Sequence, residues 1–239
     1  MISIMGAGGK TSLMFRLAKE LADSNKRVLT TTTTKVFMPT PDESPFTIVT
    51  QSVNDLIDRI KTRILKYNHF SAGSEYDISS GKLYGFSKDV INQIYHENLF
   101  DWIIVEADGS RQKSLKATAL HEPVLPEVTS HLIIVSGLDI IGNLLDETHV
   151  HRASIYSKNT GLPLGKPIDE ESIAIAIAIE AKKARRLIQP SSSLVFLNKA
   201  DTKDRYVSGQ KIAGLLKTDK NINKIITASL HDKTAVEVY

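Results

Sequence analysis

Gly6, Gly8 and Gly9 run directly into Lys10, Thr11 and Ser12 near the start of the chain, in the stretch ISIMGAGGKTSLMF. Glycines let backbone N–H groups converge on an anion, and a helix beginning just beyond them adds partial positive charge. A lysine so placed reaches the outer phosphates of a nucleotide, and the Thr11 or Ser12 hydroxyl can ligate Mg2+. The common phosphate-loop spelling, G-x-x-x-x-G-K-[ST], would place its first glycine where this chain has Ile4. A dinucleotide-binding turn, G-x-G-x-x-G, fits less well. Aligned on Gly6 and Gly8, its third glycine falls on Thr11, and the second strand ends in threonines and Lys35 rather than an acid. Gly6, Ala7, Gly8, Gly9, Lys10, Thr11 and Ser12 are therefore the expected phosphate ligands, with a plain strand-to-helix turn as the alternative.

A second group lies far along the chain. WIIVEADGS reads as an apolar strand ending in Glu106 and Asp108. An acid at such a strand end holds Mg2+ or one of its waters in phosphate-loop enzymes. Asp108 and Gly109 could also turn beneath the terminal phosphate, or form only an Asp-Gly turn. The expected catalytic set is Lys10, Glu106 and Asp108, and the expected Mg2+ ligands are Thr11 and Glu106 or Asp108. A third group, Asn198-Lys199-Ala200-Asp201, follows the strand SLVFL. In N-K-x-D the aspartate accepts from the guanine ring N–H and amine, the asparagine supports the loop and the lysine stem packs on the base. ITASL, ending at Leu230, is a weak match to the loop that completes such a pocket.

Other side chains have two readings. Thr33, Thr34 and Lys35 could belong to a nucleotide-sensing loop or to an ordinary threonine-rich strand. Arg111, Lys113 and Lys116 could bind an anionic substrate or line a solvated loop. His121, before Glu122 and Pro123, could position a substrate or take a proton. His149 and His151 would share a strand face and could bind a metal, but no third ligand is evident. Arg152 could meet a phosphate or pair with an acid of the site.

Strands alternating with helices must position these groups. Strands are expected at residues 2–5, 27–33, 46–50, 101–106, 132–135, 193–197 and 225–226. Helices are expected at 11–24, from Val53 to Leu65, around 90–95 and at 204–216. Residues 71–87, rich in Gly and Ser, are undetermined. SIAIAIAIE alternates like a strand, but alanine favours helix and the flanking charges suit a helix dipole, so a buried helix is expected. The basic run from Lys182 to Arg186 is read as its solvated end. The expected class is α/β: one three-layer domain over 1–239 with a mostly parallel central sheet.

Composition narrows the classes. The chain has no cysteine, which excludes disulfides, Cys-ligated zinc and a Cys nucleophile. A net charge of only +3 gives no global reason to expect nucleic acid or an acidic membrane. No apolar run reaches the roughly 18 residues of a membrane span, and no signal peptide is evident, so a cytoplasmic protein is expected.

Taken together, GAGGKTSLMFRLA, LTTTTKV, VEADGSR with LKA and HEPVLP, HVHRA and NKAD resemble the YqeC family. That family is described as accessory proteins of selenium-dependent molybdenum hydroxylases, or as selenium cofactor biosynthesis proteins. The resemblance spans nearly the whole chain and implies a phosphate-loop NTPase fold of the metallochaperone and dethiobiotin-synthetase branch. The spacing from Gly6 to Thr11 is similar to the family's own, so Ile4 is no departure from it. The departures are Thr118, where a small apolar residue or proline is expected, and a start directly on the first strand without a leader. The motifs point to a Mg2+-dependent NTPase, with GTP favoured over ATP by Asn198 and Asp201, and the resemblance implies that it serves maturation of a molybdenum hydroxylase or its cofactor. A kinase-like transferase acting on a small cofactor precursor and a non-catalytic nucleotide-gated module remain alternatives.

Overall fold

The computed structural model describes residues 1–231 and 236–238. The chain divides into two compact units. The first comprises Met1–Ile4, Thr11–Asp108 and Val124–Thr129; the second comprises Met5–Lys10, Gly109–Pro123 and Ser130–Tyr239.

In chain order the first stretch holds β1 (Ile2–Gly6), α1 (Lys10–Asp23), β2 (Val28–Thr32), β3 (Lys35–Phe37) and β4 (Thr47–Val49). It continues through α2 (Val53–Lys61), β5 (His69–Gly73), β6 (Glu75–Asp77), β7 (Lys82–Tyr84), α3 (Lys88–His96) and β8 (Trp102–Glu106). In the first unit β8 pairs in parallel with β1 on one side and β2 on the other, and β2 leads through β5 to β4. β1 and β2 are buried along their whole lengths, as parallel strands covered on both faces should be. The β2 hydroxyls are satisfied internally: Thr30 meets His69 Nε2 at 3.0 Å, Thr31 donates to the Ala72 carbonyl at 2.8 Å and Thr32 to that of Glu106 at 2.8 Å. Ser52 and Ser87 cap α2 and α3 by accepting from the Asp55 and Val90 amides. Leu56, Ile60, Ile91 and Ile94 of these helices meet Leu29, Ile48, Phe70 and Ile103 in one core.

Two sequence expectations change here. α2 stops at Lys61, so Ile64 and Leu65 lie outside it and Leu65 is fully exposed. Residues 71–87, undetermined from sequence, finish β5 and build β6 and β7, which join β3 in a small antiparallel sheet. Those strands are three residues each, too short for a period to show.

The remaining elements are β9 (Leu115–Lys116), β10 (His131–Gly137), a 3-10 turn (Leu138–Ile140), β11 (Val150–His151), α4 (Ala153–Thr160) and α5 (Glu170–Leu187). β12 (Ser192–Asn198), α6 (Lys203–Leu216), β13 (Lys224–Ala228) and β14 (Val236–Val238) follow. β10, β12 and β13 pair in parallel, β14 adds an antiparallel edge, and β9 and β11 form a short parallel ladder. The alternating segment is a helix. Asp169 caps α5 through the Ser172 amide, and Glu170 and Glu171 at its start and Arg185 and Arg186 at its end complement its dipole. Its basic end is only partly solvated, because Lys183 donates to Thr118 Oγ1 at 2.8 Å and Arg185 to the Asn221 carbonyl at 3.1 Å. The class is α/β with a mostly parallel central sheet.

Phe70 is fully buried among Phe46, Tyr67 and Phe100. Phe70→Ala should lower unfolding free energy in urea by about 3–5 kcal/mol, while Leu65→Ala should change it by less than about 0.5 kcal/mol. Equal effects would contradict this placement of the core.

Candidate phosphate-binding site

The glycine loop is shaped by close backbone packing in the second unit. Gly6 has φ 98°, and a Cβ there would lie 2.2 Å from the Val135 carbonyl oxygen. Gly8 has φ 89°, and a Cβ there would lie 2.4 Å from the Gly137 nitrogen. Both positions thus exclude a side chain by conformation and by space. The Ala7 amide donates to the Val135 carbonyl at 2.9 Å and the Gly8 amide to that of Lys113 at 3.1 Å. Of the expected phosphate ligands from Gly6 to Ser12, Ala7 and Gly8 thus have their amides taken by backbone carbonyls. α1 then opens at Lys10, and first-turn amides have no acceptor within a helix. No acid stands in that first turn, so its positive end is left for another anion. Lys10 is almost wholly buried, with its Nζ folded back to the Gly6 carbonyl at 2.8 Å.

In the first unit the Thr11 hydroxyl donates to Glu106 Oε2 at 2.7 Å. Glu106 ends β8 and is braced there: its carbonyl accepts from the Thr32 hydroxyl and the Thr33 amide, and the next amide, Ala107, reaches the Ile4 carbonyl. Asp108 is fully buried two residues on. Thr11, Glu106 and Asp108 offer hard oxygen donors, and Mg2+ is ordinarily held by one or two carboxylates with substrate phosphates completing its shell, so the set fits that ion. Among the described residues no three His, Asp or Glu side chains form a metal cage of their own. The neighbouring candidates make local contacts. Thr33 donates to the Val124 carbonyl, Thr34 meets Thr32, and Lys35 reaches the Tyr84 hydroxyl at 2.8 Å.

The N-K-A-D stretch in the second unit turns off the end of β12. Asn198 Nδ2 donates to the Gly8 carbonyl at 2.7 Å, and its Oδ1 accepts from the Leu230 amide at 3.2 Å. One amide thus ties the phosphate loop to the loop at residues 227–230, although 190 positions separate Asn198 from Gly8. Asp201 accepts from the Ser229 hydroxyl and, at 3.3 Å, from Arg205. Lys199 has φ 65°, with its Nζ 2.7 Å from both Ser114 Oγ and Asp139 Oδ2. Asp139 carried no signal in the sequence; only the fold brings it to Lys199.

The basic residues after the acidic strand end are mostly engaged. Lys113 donates to the Glu147 and Val150 carbonyls, while Arg111 and His121 are exposed. Lys116 is buried and donates to the Gly109 carbonyl at 2.6 Å and to Glu122 at 3.0 Å. Arg152 grips the same carboxylate with both terminal nitrogens, at 2.5 and 3.2 Å. Burial alone would raise the Glu122 carboxyl, but the Arg152 hydrogen bond and the Lys116 charge outweigh it and pull it down to about 2. Sequence reasoning found Arg152 and Lys116 but not the acid that joins them. His149 lies outside β11 and pairs with Asp146 at 2.8 Å, so the two histidines do not share a strand face as expected. His151 is held near 4 by burial, then by the charges of Arg152, Lys116 and Arg111. Glu180 is likewise buried and accepts from the Thr118 amide and hydroxyl at 2.9 and 2.6 Å.

Residues 2–154 match the model of the YqeC protein family. The YqeC protein of Escherichia coli (strain K12) is 36% identical over 171 residues, which make up 67% of this chain and 60% of that one. The chain therefore spans about 60% of the length of the curated relative it matches. Among solved structures, the 54 kDa protein of the signal recognition particle from Aeropyrum pernix K1, in complex with GDP, aligns over 100% of this chain and 43% of its own. The identity is 12% and the TM-score 0.41, too distant a likeness to bear on chemistry.

The ionisations set an acid limb. His151 and His69, both held down to about 4 from 6.5, stabilise the fold fully above about pH 6.5, and that contribution is lost as pH falls toward 4. Glu122, held down from 4.5 to about 2, contributes above pH 4.5 and loses that contribution as pH falls toward 2. Urea unfolding should therefore show stability declining from pH 6.5 and more steeply below 4.5. Glu122→Gln should cost about 3 kcal/mol at pH 7, because Lys116 is left buried without its carboxylate, and should flatten only the lower part of the limb. An unchanged lower limb would contradict the assignment.

Proposed function

The chain belongs to the YqeC family, and from that premise we propose that residues 1–239 work as one Mg2+-dependent nucleotide-binding and hydrolysing domain, with GTP favoured over ATP. The observation that carries the reading is the 2.7 Å hydrogen bond from Thr11 to Glu106, directly after a glycine loop and a buried lysine. A hydroxyl and a carboxylate are thus already paired where α1 begins, next in the chain to Lys10. With nucleotide present, Lys10 exchanges the Gly6 carbonyl for phosphate oxygens, and the Gly9, Lys10, Thr11 and Ser12 amides face the phosphates. Thr11 and Glu106 or Asp108 hold Mg2+ or its water, and the ion supplies neutralisation of phosphate charge. No covalent protein nucleophile is needed, since phosphoryl transfer rests on positioning and charge stabilisation. Asp201, steadied by Ser229 and Arg205, accepts from the guanine ring, and Asn198 holds that loop against Gly8.

The nucleotide cycle serves maturation of a selenium-dependent molybdenum hydroxylase or its cofactor, in the cytoplasm. Family membership supports the role. No helix among the described residues is long and apolar enough to cross a membrane. A phosphorylated small product would move the reading to a transferase, and binding without turnover would move it to a nucleotide-gated module.

Lys10→Ala should weaken GTP binding about a hundredfold or more in calorimetry, because a buried charged contact to phosphate is lost. Unchanged binding would overturn the nucleotide site. Asp201→Asn should shift preference from GTP toward xanthosine triphosphate, and a wild type that prefers ATP would overturn the guanine reading.

A further inference from the structure

We infer that Asp139, assisted by Ser114, is the positioning residue for Lys199 and presets the base-binding side of the nucleotide site. The inference rests on the nucleotide reading above. Lys199 holds a left-handed backbone, φ 65°, which a long side chain adopts only when its surroundings over-determine it. The determinants are two anchors on its ammonium: Asp139 Oδ2 at 2.7 Å and Ser114 Oγ at 2.7 Å.

The strand register explains why they meet. β10 and β12 pair to their ends, with Gly137 opposite Asn198. Lys199 is the first residue past one end, and Asp139 is the second past the other. Asp139 is unusual in a second respect. Its Oδ1 is buried and has no hydrogen-bond partner among the described residues. It lies close over Gly137, where a Cβ would come within 2.8 Å of it. A half-desolvated carboxylate is costly unless a charge stands against it, and Lys199 is that charge. Such a group gives little net stability and fixes one geometry instead.

Ser114 extends the connection. Its carbonyl accepts from the Gly137 amide at 3.0 Å, and the carbonyl of the preceding Lys113 accepts from the Gly8 amide at 3.1 Å. The segment at residues 109–114 therefore touches the phosphate loop through its backbone and the Lys199 ammonium through a hydroxyl. With its head tied down, the four-carbon stem of Lys199 is ordered before a base arrives. A free lysine would lose that rotamer freedom on binding, so the anchor raises affinity by preorganisation. The anchor acts on the base and not on the phosphates, which gives it a signature that general loss of structure lacks.

The test is a double-mutant cycle read with two ligands, GTP and inorganic tripolyphosphate, by calorimetry with Mg2+. Asp139→Ala should weaken GTP about tenfold, the loss of one charge-assisted contact, and leave tripolyphosphate within about twofold. Lys199→Ala should weaken GTP similarly, and the double variant should be no worse than Lys199→Ala alone. Ser114→Ala, which keeps the Asp139 contact, should give a smaller loss of the same kind and carries the test if Asp139→Ala lowers the folded fraction. Additive losses, or tripolyphosphate falling in step with GTP, would overturn the role of Asp139 and leave the nucleotide reading standing. A wild type that binds no GTP would overturn both.

Discussion

Everything proposed for the site depends on the absence of room for a side chain at Gly6 and Gly8. The loop packs so tightly on Val135 and Gly137 that a single added carbon would lie 2.2–2.4 Å from backbone atoms. That contact fixes where β1 ends and therefore where α1 begins. Lys10, the first residue of that helix, folds its ammonium back to the Gly6 carbonyl. The glycines are needed for close approach as much as for their positive φ. A loop lacking the usual first glycine at position 4 still forms, because the strain falls at Gly6 and beyond.

Two hydrogen bonds attach distant motifs to this loop and its helix. Thr11 holds Glu106, and Asn198 holds the Gly8 carbonyl. Magnitudes show which polar contacts shape the molecule. The exposed helical pair Lys19–Asp23 has side chains 68% and 64% accessible and is worth about 0.3–0.5 kcal/mol. The Lys116–Glu122 pair is 2% and 11% accessible, and removing one partner costs several times more, on the order of 3–5 kcal/mol. Together with Arg152, it holds the segment after the acidic strand in one conformation, and that segment touches both the phosphate loop and Lys199.

Much of the scaffold was legible because its signals are local. The apolar run before Glu106, the strand before Asn198 and the charge-flanked alanine-rich helix each declare themselves within ten or so residues. Helix α4, with its polar face of Ser154, Ser157, Lys158 and Asn159, has too little apolar pattern to be seen. The three-residue strands between residues 75 and 84 are too short for one. Within the site, the types of Lys10, Thr11, Glu106, Asn198 and Asp201 could be read from their motifs. Several pairings could not, because strand register and loop packing bring Asp139 to Lys199, Glu122 to Arg152 and the Gly8 carbonyl to Asn198 across 30 to 190 positions. The two-histidine metal idea failed for the same reason: the chain leaves the strand at His149, and the ring turns to Asp146.

Thr11 and Glu106 stand 2.7 Å apart, and the proposed nucleotide site requires these oxygens to act with Mg2+. The most direct measurement is the GTP affinity of the wild type and of Glu106→Gln, each with Mg2+ and with the ion chelated. Chelation should weaken wild-type binding at least about tenfold and leave the already weakened variant nearly unchanged. Wild-type affinity that is the same with and without Mg2+ would contradict it.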